Sequence, residues 1–110
     1  MLTFHEYADA DYLKQTIARL REAGRPVLCT EWMSRTLGSR FETHLPLFKK
    51  EDVGCFFWGL VSGRTQTDFP WGSVEGAPPP PVLFHDLLDG QGRPYSGEEE
   101  ALIQQVIRAE

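Results

Sequence analysis

The sequence has no apolar run long enough to cross a membrane. Its longest, "GCFFWGLV" at 54–61, falls far short of the ~20 residues a spanning helix needs, so no membrane association is expected. It has no cluster of lysine or arginine either. The 11 basic residues are outnumbered by 16 acidic ones, and a net charge of −5 argues against a nucleic-acid partner. The segment "MLTFHEYADAD" lacks a basic n-region and a cleavage-like site, so no secretion signal is expected, and the location is read as cytoplasmic or left open. Cysteine occurs twice. Cys29 and Cys55 both sit inside apolar runs, the pattern of buried structural thiols, with a disulfide or a metal pair as the outside alternative. No cofactor or metal is expected. What remains is an ordinary globular composition, 41% hydrophobic and 25% charged over 110 residues. That length supports one domain, 1–110, burying about 65% of its unfolded surface.

Short apolar strands alternate with helical patterns. "LTFHEY" (2–7) has the β-branched and aromatic content of a strand. Over 10–23, Leu13, Ile17 and Leu20 recur at helical spacing, Asp9 or Asp11 can cap the start, and Gly24 supplies a left-handed stop. "PVLCTEW" (26–32) is a second strand, with Pro26 at a first position where no ladder donor is lost. Ser39 precedes a helical pattern over 40–50 in which Phe41, Leu45 and Phe48 share a face, and Pro46 inside it is expected to kink or split the helix. A third strand is expected over 54–61. Residues 62–81 read as loop, with Pro78–Pro81 a rigid extended stretch. "VLFHDLLDGQGRPY" is ambiguous apart from a turn at Gly90-Gln91-Gly92. Ser96 and Glu99 form a capping box opening a last helix over 97–108. This order predicts an α/β fold with parallel strands in right-handed β–α–β units.

In parallel α/β architectures ligands bind at the carboxyl ends of the strands. Those ends carry His5, Glu6 and Tyr7, then Glu31 and Trp32, then Trp58. Two-residue alternation puts His5 with Tyr7, Cys29 with Glu31, and Phe56 with Trp58. Each residue alone has an ordinary reading as rim packing or a solvated side chain. Together they place His, Tyr, Glu and Trp where a packing-only sheet would carry Val or Ile, and that convergence favours a site.

The stretches "FHEY", "RPVLCTEWM", "FETHLPLFKKEDVGCFFWGLVSGRTQT", "PW" and "FHDLLDGQGRPYS" resemble the C-terminal third of clan A glycoside hydrolases. The nearest likeness is to the family 5-like cellulases, xylanases and mannanases, and it covers nearly the whole chain. The resemblance implies a partial (β/α)8 barrel made of the last three βα units, and retaining hydrolysis of β-glycosidic bonds in plant-type oligo- or polysaccharides. It implies Glu31 as nucleophile at the end of the seventh strand and Tyr7 as the tyrosine that orients it. His5 is then a sugar contact and Trp58 the floor under the reacting sugar, with Trp32, Arg64 and Gln66 as further substrate-binding residues.

The sequence departs from the family at the acid/base. That glutamate follows an asparagine at the end of the fourth strand, whereas this chain has no such strand and no asparagine. A barrel takes ~250 residues. The chain is therefore expected to be a fragment or a homo-oligomer, most simply a twofold dimer closing a sheet across copies. The face left exposed by one copy would include Cys29, Phe56, Val27 and Leu2 or Phe4. Glu6 is the other rim carboxylate and the candidate acid, although its alternation points it away from Glu31. The competing readings are a non-catalytic carbohydrate-binding or vestigial module, and a structural α/β piece with no ligand.

Overall fold

In the computed structural model, which describes residues 1–109, Asp9 opens the first helix, α1 (Ala10–Arg21). Its carboxylate accepts the Tyr12 N–H at 2.9 Å, and Gly24, at φ +64°, ends the turn that follows. The second helix, α2 (Phe41–Lys50), is not capped by a side chain. Ser39 is used elsewhere: its hydroxyl accepts the Met33 N–H at 3.1 Å and donates to the Glu6 carbonyl at 3.3 Å. Of the two outcomes expected at Pro46, a kink or a split, the split does not occur: α2 runs through it. The ring removes one donor, and the acceptor it would have met belongs to Glu42, an exposed residue, so no buried group is orphaned. The buried face of Phe41, His44, Leu47 and Phe48 holds the helix together. The third helix, α3 (Gly97–Arg108), starts at Ser96, whose hydroxyl accepts the Glu99 N–H at 3.3 Å.

Three strands lie in the order β1 (Leu2–Glu6), β2 (Val27–Trp32), β3 (Gly54–Cys55), all parallel. The outer edges of β1 and β3 are unpaired among the described residues, so this is an open sheet and not a barrel. Helices cover one face. Leu13 and Ile17 of α1, Cys29 and Trp32 of β2, and Phe41, Leu47 and Phe48 of α2 form the core there, with Phe4 and Val27 packed against it. The expectation that Cys29, Val27 and Phe4 would face water is therefore corrected; of the residues named for that face, Phe56 is the one that is largely exposed.

The third strand is much shorter than the expected 54–61. Two further bonds continue its line, Phe56 N–H to the Cys29 carbonyl at 2.9 Å and Trp58 N–H to the Trp32 carbonyl at 2.8 Å. The run then ends at Gly59, at φ +88°. A Cβ on Gly59 would lie 2.6 Å from the His85 Cβ and 2.8 Å from an Asp86 carboxylate oxygen, so glycine here lets the 84–86 segment close onto the sheet.

That segment is held by Arg35, in a 3-10 turn (Arg35–Leu37) just beyond β2. The buried guanidinium makes two bonds to Glu99, at 2.9 and 2.7 Å, and donates to the carbonyls of Leu83 (2.6 Å) and Asp86 (2.8 Å). The Tyr95 ring lies 4.6 Å from its Cζ. One side chain thus ties α3 and the 83–86 segment to the end of β2. No helix among the described residues is long and apolar enough to cross a membrane.

Arg35→Met keeps the bulk but strands a buried Glu99 carboxylate and two carbonyls. Urea unfolding is expected to show a loss of about 3–5 kcal/mol, the usual consequence of removing one partner of a buried pair. A loss below about 1 kcal/mol would contradict this role.

Candidate functional site

β1 and β2 are not paired residue for residue. Phe4 partners Cys29, yet His5 partners Glu31, so Thr30 is an extra residue in β2. The β3 side carries the same slip, since Phe56 and Trp58 bond to carbonyls three residues apart on β2. A bulge of one residue reverses which face the following side chains meet. Cys29 therefore packs in the core beside Phe4, whereas Glu31 stands with His5 on the open face. The expectation that Cys29 and Glu31 share a face is corrected by this bulge.

The Tyr7 hydroxyl donates to Glu31 Oε2 at 2.8 Å, and His5 Nδ1 lies 3.3 Å from the same oxygen. The Glu31 side chain is 29% exposed, neither sealed in nor freely solvated. Burial, and then the bond to Glu31, raise the Tyr7 hydroxyl well above the ordinary phenol range, so it remains a neutral donor at any working pH. Trp58, 47% exposed, stands at the end of the β3 line. Trp71, 59% exposed, comes from the loop after it and sets its ring edge-on to Tyr7 at 4.8 Å between centroids.

The other sequence candidates lie elsewhere. Trp32 is not a rim residue: it is 1% exposed, stacked on His44 and in edge contact with Phe41 and Phe48. The same bulge that frees Glu31 turns Trp32 inward. Glu6 is buried on the helix side of the sheet, where it accepts the Ala8 N–H at 2.7 Å and the Thr16 hydroxyl at 3.4 Å. Engaged there at the entry to α1, it is not presented to Glu31. Gln66, at φ +54°, helps line a hollow of about 620 Å³ within the 65–77 loop, which also includes Trp71. Arg64 is exposed on the same loop. Neither bonds to the Tyr7–Glu31–His5 cluster.

Sequence reasoning missed Trp71 and His85. His85 is buried beside Tyr7 and Trp71, at 5.5 and 5.6 Å between ring centroids. The signal available was the "FHD" triplet, with two polar residues directly after an apolar run. Asp86 anchors this region to the loop, accepting from the Thr67 hydroxyl at 2.6 Å and the Ser62 hydroxyl at 3.2 Å.

Chemically, the rim offers one oriented carboxylate, with the exposed Trp71 indole against its Tyr7 partner and a second exposed indole, Trp58, at the end of the β3 line. Such a surface suits the apolar face and the hydroxyls of a pyranose ring. Among the described residues no cluster of side chains suited to holding a metal ion is found.

The buried groups set a pH dependence. Burial lowers the pKa of His44 and His85 from about 6.5, so below that pH the unfolded chain binds protons that the folded chain refuses. Their contribution is present above pH 6.5 and is lost as pH falls. Glu6, raised by burial, works in the opposite sense and loses its contribution as pH rises. At the alkaline end burial pushes Cys29 and Cys55 up to about 12 and about 11, so stability falls once the unfolded thiols ionise above about 9. Urea midpoints are expected to be highest between about pH 7 and 9 and to fall on both sides. A midpoint that climbs steadily from pH 7 to pH 5.5 would contradict the histidine assignment.

Comparison with known proteins finds no family model, no curated protein and no solved structure that matches this chain.

Proposed function

We propose that this chain carries the nucleophile side of a retaining β-glycosidase acting on plant-type oligo- or polysaccharides. The supporting observation is the Tyr7–Glu31–His5 cluster at the carboxyl ends of adjacent parallel strands. Both contacts fall on Oε2, which leaves Oε1 to attack the anomeric carbon. The ester bond forms as the bond to the leaving oxygen breaks, and that oxygen takes a proton from an acid ~5–5.5 Å away. Water then hydrolyses the ester, with the former acid serving as base. Trp58 and Trp71 supply the apolar surface for the sugar.

In this reading β1 to β3 are the sixth, seventh and eighth strands of an eightfold barrel, and the open face is its interior. The acid and the remaining strands come from outside this chain, most simply from a second copy. The unpaired edges of β1 and β3 and the exposed Phe56, Trp58, Leu60 and Val61 support that assembly. Glu6 is too deeply engaged to be the acid across such a contact, so another carboxylate must serve.

A second reading is a non-catalytic carbohydrate-binding or vestigial module. It is favoured by one observation: among the described residues no second carboxylate bonds into the Tyr7–Glu31–His5 cluster.

A dinitrophenyl β-glycoside needs no proton on its leaving group and so tests the nucleophile without the acid. Glu31→Gln is expected to lower turnover at least about 10³-fold, as loss of a nucleophile does. Tyr7→Phe is expected to lower it about 10- to 100-fold, the kinetic equivalent of one hydrogen bond to a charged group. Undiminished turnover in Glu31→Gln would overturn the assignment. Sugar-dependent quenching of tryptophan fluorescence without turnover would establish the second reading. Sedimentation is expected to show an oligomer; a well-folded monomer would contradict the assembly.

A further inference from the structure

Behind the Tyr7–Glu31 pair lies a side chain to which that reading gives no role. His85 is fully packed, its Nδ1 lies 2.6 Å from the Met33 carbonyl oxygen, and its Nε2 is buried without a hydrogen-bond partner among the described residues. A carbonyl oxygen can only accept, so Nδ1 carries the proton and Nε2 is a bare lone pair. Burial, which disfavours the charged ring, keeps it in that neutral form.

The acceptor is unusual. Met33, two residues after Glu31, has φ +89°, a left-handed backbone that residues with side chains rarely enter. Two bonds hold it there: its N–H donates to the Ser39 hydroxyl at 3.1 Å, and its carbonyl receives His85. The His85 ring also packs against Tyr7, the phenol that donates to Glu31. His85 therefore touches both the backbone that carries the carboxylate and the group that orients it.

For packing alone, an apolar ring would fill the same space and leave no orphaned acceptor. We infer that His85 is a positioning residue for Glu31, fixing the strained Met33 peptide through Nδ1–H and bracing Tyr7 through its ring. The inference rests on Glu31 being the nucleophile for its kinetic arm, and its spectroscopic arm stands apart from that reading.

Asparagine places an amide nitrogen where Nδ1 sits, and glutamine places one where Nε2 sits. His85→Asn is therefore expected to keep the bond to Met33, and His85→Gln and His85→Leu to lose it. With the dinitrophenyl glycoside, Gln and Leu are expected to lower kcat about 100-fold, the effect of a misplaced catalytic group. KM should change less than about threefold, and Asn should restore most of kcat. Long-range ¹H–¹⁵N spectra of the unaltered protein should show a neutral, Nδ1-protonated ring at pH 7. The hydrogen-bonded Tyr7 hydroxyl proton, identified by its loss in Tyr7→Phe, should persist in the Asn variant and vanish in Gln and Leu. An Nε2-protonated ring overturns the inference with no variant needed. A folded Gln or Leu variant that keeps the Tyr7 signal overturns it, as does one that performs better than Asn. If the unaltered protein turns over no glycoside, the glycosidase reading fails while the tautomer and the Tyr7 signal still decide the role of His85.

Discussion

The pairing of His5 with Glu31 across β1 and β2 depends on Thr30, a residue that neither neighbouring strand matches. Everything before Thr30 follows the plain alternation of a half-buried strand, with Cys29 in the core beside Phe4. Everything after it is inverted. Were Thr30 an ordinary ladder residue and not a bulge, Glu31 would point into the helix layer among Leu13, Ile17 and Phe48, where an unpaired carboxylate is expensive to desolvate, and Trp32 would take its place on the open face. The bulge puts both residues where their chemistry belongs: the indole in the core, the carboxylate between Tyr7 and His5.

A single sheet end is not enough to build a site, because the residues that brace it come from far along the chain. Arg35 makes that possible. Its guanidinium makes four bonds, two to Glu99 and one each to the Leu83 and Asp86 carbonyls, so the turn after β2, the 83–86 segment and α3 are fixed by one planar group. Gly59 removes the Cβ that would keep this segment away. The result is that His85 reaches the Met33 carbonyl across a chain separation of 52 residues. Asp86 then ties the loop carrying Trp71 to the same frame through Thr67 and Ser62.

This division explains what was legible in the sequence. α1 was legible because Asp9, Gly24 and the Leu13–Ile17 spacing are local signals that agree with one another. β1 and β2 were legible for the same reason, and Tyr7, Glu31 and His5 follow from being at strand ends. Trp32 was misplaced because alternation assumes an unbroken ladder, and nothing in "VLCTEW" announces a bulge. The third strand was overextended because "FFWGLV" has strand composition, while its end is set by the packing of His85 and Asp86 against Gly59. Glu99 illustrates a half-correct local reading: its N–H does use Ser96, but its carboxylate leaves the capping box for Arg35. Trp71 was illegible, and the "FHD" triplet marked His85 without showing its role, because both roles arise from contacts between segments distant in sequence.

The account turns on Glu31 as an attacking group. The most direct test is mass spectrometry of the protein after incubation with a 2-deoxy-2-fluoro-β-glycosyl fluoride. Fluoride departs without a proton, so the absent acid does not interfere, and the 2-fluorine slows hydrolysis of the ester long enough to isolate it. The carboxylate oxygen bonds to the anomeric carbon as the carbon–fluorine bond breaks. The account predicts one fluoroglycosyl group per chain, mapped to the peptide containing Glu31 and absent in Glu31→Gln. An adduct on another residue, or none with a protein that is folded and assembled, would contradict it.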